Sequence, residues 1–160
     1  MLKLSLIGMS LVAITVAIHA LGSTYLVRYL AKRFLDERGR WGSRYALVAL
    51  TTAAIVLVVL HAIEIMVWAG VYKVLVPAAE LADFETAVYF SFVTFTTLGY
   101  GDITLSDGWR LLSGIQAMNG ILLAGWSTAL MFAVVQKAWQ GFVHSDLEAN
   151  SQKPKTRRRG

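Results

Sequence analysis

Three stretches of the chain are almost continuously apolar: Leu4 to Leu30, Tyr45 to Tyr72 and Trp109 to Val135. Each is longer than the roughly 20 residues that a helix needs to cross a bilayer. A shorter apolar stretch, Phe84 to Thr97, follows the capping residue Asp83 and is too short to cross and return. It predicts a half-helix that enters the membrane and leaves it on the same side. The pattern therefore predicts an all-α membrane protein with three transmembrane helices and one re-entrant helix.

The composition is typical of a membrane protein with a single domain. Hydrophobic residues make up 56% of the 160 residues and charged residues only 16%, whereas a soluble domain has about 25% charged residues. The chain has no cysteine, which excludes disulfides and thiolate metal sites. The sequence contains no catalytic triad, phosphate-binding loop or metal-ligand cluster, so we expect neither enzyme activity nor a cofactor.

The net charge of +5 comes mainly from the connection after the first apolar stretch and from the C-terminal tail "KPKTRRRG". The positive-inside rule predicts that both are cytoplasmic, with the N-terminus and the half-helix outside. We expect a disordered tail, with anionic lipid as an alternative partner, and no nucleic-acid binding. Cleavage of a signal peptide after Ala20 is an alternative interpretation of the first apolar stretch.

The segment Thr96–Asp102, "TTLGYGD", follows the half-helix and is called the glycine loop below. The C-terminus of the half-helix carries partial negative charge, which favours a cation. Irregular backbone at membrane depth must be buried in protein or line a polar path. Gly99 and Gly101 adopt positive φ at little cost, so the backbone can alternate in handedness and point successive carbonyls at one axis. We expect the side chains of Leu98 and Tyr100 to pack behind it.

The glycine loop resembles the selectivity filter of the potassium channels, with Leu98 where valine or isoleucine is common. In that family, backbone carbonyls replace the hydration shell of K⁺. The resemblance implies that K⁺ is the permeant ion and that it binds in a filter formed by five residues: Thr97, Leu98, Gly99, Tyr100 and Gly101. In this interpretation, K⁺ contacts the Thr97 hydroxyl and the carbonyls of residues 97–100. One loop per chain supplies a quarter of a ring, so the resemblance also implies a homotetramer, in the plasma membrane of a bacterium.

The resemblance divides the chain into a peripheral helix, a basic connection, a pore domain and a tail. Their boundaries are 1–33, 34–44, 45–137 and 138–160, and the pore domain contains a pore helix at 84–96, a filter at 97–102 and an inner helix at 109–137. The implied function is passive, potassium-selective conduction. A weakly selective cation channel and a non-conducting regulatory or structural subunit are the alternatives. No segment has arginine at every third position, so no voltage sensor of the usual kind is predicted.

Three residues are candidates for supporting the filter: Tyr89, Val93 and Asp102. Some related bacterial channels have glutamate at the position of Val93, where it would pair with the acid matching Asp102. The family also often has two tryptophans where this chain has Tyr89 and Phe90. We therefore hypothesise that the Tyr89 hydroxyl bonds to Asp102 and braces the outer mouth. The alternative is that Tyr89 packs at the membrane interface.

Two features of the third apolar stretch have more than one interpretation. Gly120 matches the glycine that is proposed as a gating hinge in this family, but glycine in a membrane helix also permits close packing. Gln116 and Asn119 share a helix face, and amides within a membrane are costly unless they are hydrogen-bonded. They face either an aqueous cavity or the back of the pore helix.

His61 and Glu64 place a base and an acid three residues apart on the second helix. A carboxylate within the membrane suggests a functional site, and a histidine that titrates near neutrality could make gating depend on pH. The alternative is a hydrogen-bonded pair with a structural role. A topology count puts His19 nearer the inner side of the membrane, so a three-residue metal site is not predicted.

Overall fold

The architecture is described from a computed structural model that covers residues 2–34 and 45–151, with side chains up to residue 140. Four helices follow one another: α1 (Leu2–Phe34), α2 (Ala46–Leu75), α3 (Phe84–Phe95) and α4 (Arg110–Ser151). Among these residues there is no strand, so the predicted all-α class is confirmed for the described part. The predictions for the basic connection after residue 34 and for the tail after residue 151 lie outside the described residues.

Three of the helices are long and apolar enough to cross a membrane. They are α1, α2 and the part of α4 from Arg110 to Gln140, whereas α3 has only 12 residues. Helices α2 and α4 contact each other, and α1 and α3 each pack against both of them. This arrangement places α3 and the glycine loop beside α2 and α4.

Small residues let the helices approach closely at the end of the bundle near the connection between α1 and α2. Ala46, Ala49 and Ala53 of α2 are buried against Leu26 and Leu30 of α1. Close packing of small residues is a typical way for helices to associate where lipid removes the hydrophobic driving force. At the other end, larger side chains fill the core around α3, and they include Trp68, Tyr72, Leu81, Phe90, Leu105 and Leu112.

The start of α3 is set by Asp83, as its position before the apolar stretch predicts. The Asp83 side chain accepts a hydrogen bond of 2.7 Å from the backbone N–H of Thr86. This bond satisfies one of the free N–H groups at the helix start. It also holds the pKa of the Asp83 carboxyl below its ordinary value.

Helix α4 extends past residue 137, the end predicted for the inner helix. The helix continues to Ser151. Residues 138–151 contain no proline, and the first proline after Arg110 is Pro154. Proline is the strongest helix breaker, and its absence from 138–151 allows the helix to continue.

Gly120 permits the closest approach between α4 and the end of α3. A Cβ atom added at Gly120 would lie 1.9 Å from the backbone oxygen of Phe95, the last residue of α3. Gly70 of α2, in contrast, has open space at the corresponding position. The geometry thus favours the packing interpretation of Gly120 and gives a reason for glycine here that does not depend on hinge motion.

We expect Gly120→Ala to destabilise the protein because the new methyl group forces α4 away from Phe95. Overpacking of this kind typically costs about 1–3 kcal/mol. Thermal unfolding of the purified protein in detergent should show a lower midpoint than wild type. The matched control, Gly70→Ala, should be neutral or slightly stabilising because alanine favours helix by roughly 0.5–1 kcal/mol. Equal midpoints for the two variants would contradict the close approach.

Candidate functional site

The backbone of the glycine loop alternates in handedness at every second residue. Thr97, Gly99 and Gly101 have positive φ values of 58°, 54° and 80°. Thr97 is the only residue other than glycine with positive φ in the described part of the chain. The glycines at 99 and 101 indicated the alternation, but Thr97 was missed because threonine rarely adopts this conformation, which costs about 1–3 kcal/mol.

The N–H groups of the glycine loop are hydrogen-bonded back to the end of α3. Leu98 N and Gly99 N donate to the carbonyl of Val93 at 3.0 and 3.3 Å, and Thr97 N donates to the carbonyl of Thr94 at 3.0 Å. In contrast, the carbonyls of residues 97–100 accept no hydrogen bond from the described residues. Val93, predicted as a support residue, therefore contacts the loop through its backbone carbonyl.

The side chains of Leu98 and Tyr100 are not covered within their own subunit, so their predicted packing behind the loop stays a prediction for the assembled protein. Their side chains are 55% and 67% exposed. Beside the loop lies a cavity of about 440 Å³, with Tyr89, Val93 and Gly114 in its lining. A single chain supplies no surface that covers these two side chains, and this could not be inferred from the residues of the loop.

The Tyr89 hydroxyl donates a hydrogen bond of 2.6 Å to Oδ2 of Asp102. The contact is the one hypothesised from the sequence, and both side chains lie at the surface of the subunit. The hydrogen bond from Tyr89 lowers the pKa of the Asp102 carboxyl, and the same bond raises the pKa of the Tyr89 hydroxyl. Phe90, at the second of the two positions where the family often has tryptophan, packs edge-on against Tyr72 with ring centroids 5.2 Å apart.

Hydrogen bonds from Ser106 to Glu80 hold the segment between the glycine loop and α4, and sequence reasoning missed them. Glu80 accepts hydrogen bonds from Ser106 N at 2.8 Å and from Ser106 Oγ at 2.9 Å. Glu80 lies in the connection between α2 and α3, 26 residues before Ser106. The sequence contains no local signal for a pairing over this distance, because neither residue belongs to a motif or a helix cap.

Gln116 and Asn119 are both buried in the subunit, so an aqueous-cavity position for them is wrong in this structure. Gln116 Nε2 donates to the hydroxyl of Ser91 at 2.6 Å and to its carbonyl at 3.2 Å. This is the predicted alternative, the back of α3. Asn119 Nδ2 instead donates to the Thr15 hydroxyl at 2.8 Å and thereby links α4 to α1.

The pair of His61 and Glu64 belongs to a larger cluster, which corrects the exclusion of His19. Glu64 Oε1 lies 2.8 Å from His19 Nδ1, and Glu64 Oε2 lies 3.0 Å from His61 Nδ1. The three residues form a group whose ligand atoms lie within 4.8 Å of one another, so they could hold a metal ion.

The prediction placed His19 too near the inner side of the membrane. His19 lies fifteen residues before the end of α1 at Phe34, and His61 lies fifteen residues after the start of α2 at Ala46. Counting from the connection shared by the two helices would have placed both histidines at the same depth. Helical periodicity alone does not reveal that the two histidines share a depth, because it gives the face of the helix on which a residue lies and not the position of that residue along the membrane normal.

Comparison with known families agrees with this geometry. Residues 60–137 match a family model described as an ion channel. The matched segment begins in α2, includes α3 and the glycine loop, and ends in α4. Comparison with curated proteins gives no match, and comparison with solved structures gives none either.

Replacing Tyr89 by Phe is expected to remove a stabilising contact that depends on pH. The pKa of Asp102 is lower in the folded protein than in the unfolded chain, where an aspartate titrates at about 3.9. The contribution is therefore fully present above that unfolded pKa and is lost as the pH falls through the folded pKa. The difference in thermal midpoint between wild type and Tyr89→Phe should be present at neutral pH and disappear in acid.

The control for this prediction is Tyr25→Phe, because Tyr25 is an exposed tyrosine on α1. That variant should follow the wild-type midpoint at every pH. A Tyr89→Phe midpoint that stays parallel to wild type into strong acid would show that the contact with Asp102 does not stabilise the fold.

Proposed function

We propose that the chain is an integral membrane ion channel of the pore-loop type and that it conducts K⁺ selectively. The match of residues 60–137 to an ion channel family model and the three helices of membrane-spanning length support this proposal. The glycine loop is the selectivity filter in this proposal, and α3 is the pore helix. Four copies of the chain surround one pore, with α2 as the outer helix and α4 as the inner helix.

The observation that carries the proposal is the row of free carbonyls in the glycine loop. The N–H groups of residues 97–99 are occupied by the carbonyls of Val93 and Thr94, whereas no described donor reaches the carbonyls of residues 97–100. Unpaired carbonyls in an apolar environment cost free energy unless a cation or water satisfies them. The positive φ values at alternate residues support a common direction for these carbonyls, as a row of cation sites requires.

Exposed apolar surface supports the tetramer. In addition to the exposed Leu98 and Tyr100, helix α4 leaves several large apolar side chains uncovered, among them Met118, Ile121 and Leu122. Gly114 and Gly125 of the same helix have open space where a Cβ would lie. A neighbouring copy that packs here would cover both the loop side chains and this helix. We further propose that the glycine loop faces the outside and that the connection between α1 and α2 is cytoplasmic, following the positive-inside pattern.

Flux measurements on liposomes that contain the purified protein test the selectivity. We expect uptake of K⁺ or Rb⁺ but not of Na⁺, and Gly99→Ala should abolish the selective uptake. Gly99 has a φ of 54°, a conformation that costs a residue with a Cβ about 1–2 kcal/mol. The change in the direction of the adjoining carbonyls would occur in all four copies.

The matched control is Gly108→Ala, because Gly108 lies outside the loop, has open space around it and does not require positive φ. This variant should retain wild-type flux. Equal uptake of Na⁺ and K⁺ would identify a weakly selective cation channel instead. The absence of any flux from a properly assembled protein would favour a non-conducting subunit.

Native mass spectrometry of the detergent-solubilised protein tests the stoichiometry. We expect a mass of four chains, because each chain supplies one glycine loop and a ring of carbonyls needs four. A replacement of Leu122 by Lys on the exposed face of α4 should shift the population toward smaller assemblies. The control Leu21→Lys, on the exposed face of α1, should leave the mass unchanged. A wild-type mass of one or two chains would overturn the tetramer.

A further inference from the structure

A buried polar cluster joins α1, α2 and α4 and has no part in the proposed conduction path. Its members are His19, His61, Glu64 and Ser127. The side chains of His19 and Glu64 are fully buried. The two imidazole rings stack on each other with centroids 5.3 Å apart. Within the described residues, the histidines are the only ion-pair partners of Glu64, so the membrane-spanning region contains a carboxylate with no permanent cation beside it.

Without a bound cation, the cluster has one hydrogen-bond donor too few. A carboxylate only accepts hydrogen bonds, so both Nδ1 atoms that face Glu64 carry hydrogen when no cation is bound. Both Nε2 atoms are then acceptors, and both face the Ser127 hydroxyl, at 3.3 Å for His19 and 2.9 Å for His61. One hydroxyl has one hydrogen to donate. One of the two Nε2 atoms therefore has no donor from Ser127.

We propose that His19, His61 and Glu64 form a binding site for a divalent transition-metal cation, with Zn²⁺ as its representative. Two imidazoles and one carboxylate are a common set of zinc ligands. With the cation between the Nδ1 atoms and the carboxylate oxygens, each Nε2 carries hydrogen and donates to one lone pair of Ser127 Oγ. Both Nε2–H groups then have an acceptor, and Ser127 orients both ligating rings as outer partners do in metal sites.

The spacing of the ligand atoms fits such an ion. The three ligand atoms lie within 4.8 Å of one another, and two ligands at about 2.1 Å from a tetrahedral zinc ion are about 3.4 Å apart. The side chains need to move by less than about 1 Å. A bound proton would also satisfy both Nε2 atoms, but it requires only one histidine beside the carboxylate. The structure brings both histidines to the two oxygens of one carboxylate, which is what chelation requires.

A path to the site exists on the side of His61. The His61 side chain is 21% exposed and lines a groove of about 570 Å³ that reaches Thr97 at the base of the glycine loop. The His61 ring also packs against Phe95, with centroids 5.7 Å apart. A cation in the cluster would therefore lie one side chain away from the end of α3. This inference goes beyond ion conduction and does not depend on it.

Calorimetric titration of the purified full chain with ZnCl₂ tests the site. The purification tag is removed, and His144→Gln leaves His19 and His61 as the only histidines. We expect one Zn²⁺ per subunit, and we expect Co²⁺ to show the visible d–d absorption of a low-coordinate site. Outer partners typically change metal affinity by about 10–100-fold, so Ser127→Ala should weaken binding by at least about tenfold. His61→Asn and Glu64→Gln should weaken it by more than about 100-fold.

Thr128→Ala is the matched control. Thr128 lies next to Ser127 in the sequence and lines the groove beside His61, but its hydroxyl donates to the carbonyl of Ala124. Its affinity for Zn²⁺ should equal that of wild type. If Glu64→Gln fails to fold, the partly exposed His61→Asn carries the test. No stoichiometric Zn²⁺ binding by wild type, or full binding by His61→Asn, would overturn the proposal. The titration requires no flux, so its failure and a failure of the proposed conduction are separate results.

Discussion

The backbone carbonyls of residues 97–100 have no hydrogen-bond donor in the described part of their own subunit, and much of the structure keeps them in that state. The N–H groups of residues 97–99 are hydrogen-bonded to the carbonyls of Val93 and Thr94. The far side of the loop is held by Tyr89 through Asp102 and by Glu80 through Ser106. Each contact fixes the backbone through a donor or a side chain and leaves the carbonyl oxygens free. A proposed pore that replaces water around an ion depends on this asymmetry.

Polar side chains also determine how the helices are arranged in an apolar environment. Gln116 links α4 to α3, and Asn119 links α4 to α1. Where surrounding lipid is as apolar as the helix surface, interhelical hydrogen bonds and close packing select one arrangement among many. Gly120 adds the close packing, since its backbone lies against Phe95. Helix α3 is thus positioned by two contacts with α4, the close approach of Gly120 and the hydrogen bond from Gln116, and by the ring of Tyr72 in α2 against Phe90.

The sequence was sufficient for the helices and for the location of the candidate site, because both depend on local patterns. Apolar runs reveal spanning helices, Asp83 marks the start of α3, and Gly99 and Gly101 mark where positive φ occurs. Contacts between distant segments could not be predicted in the same way. The position of His19 beside Glu64 depends on the length of α1, and the pairing of Glu80 with Ser106 joins two connections that lack a motif. Exposure of Leu98 and Tyr100 depends on surfaces that a single chain does not possess.

The presence of one glycine loop per chain has a genetic consequence. In the proposed tetramer, the loops of all four copies would coordinate the same ion, so one altered copy would disrupt the ring of carbonyls that the other three form. A chain with a defective loop but an intact α4 would still assemble with normal chains. Coexpression of such a chain would therefore suppress the activity of the wild-type allele, and the defect would be inherited as dominant.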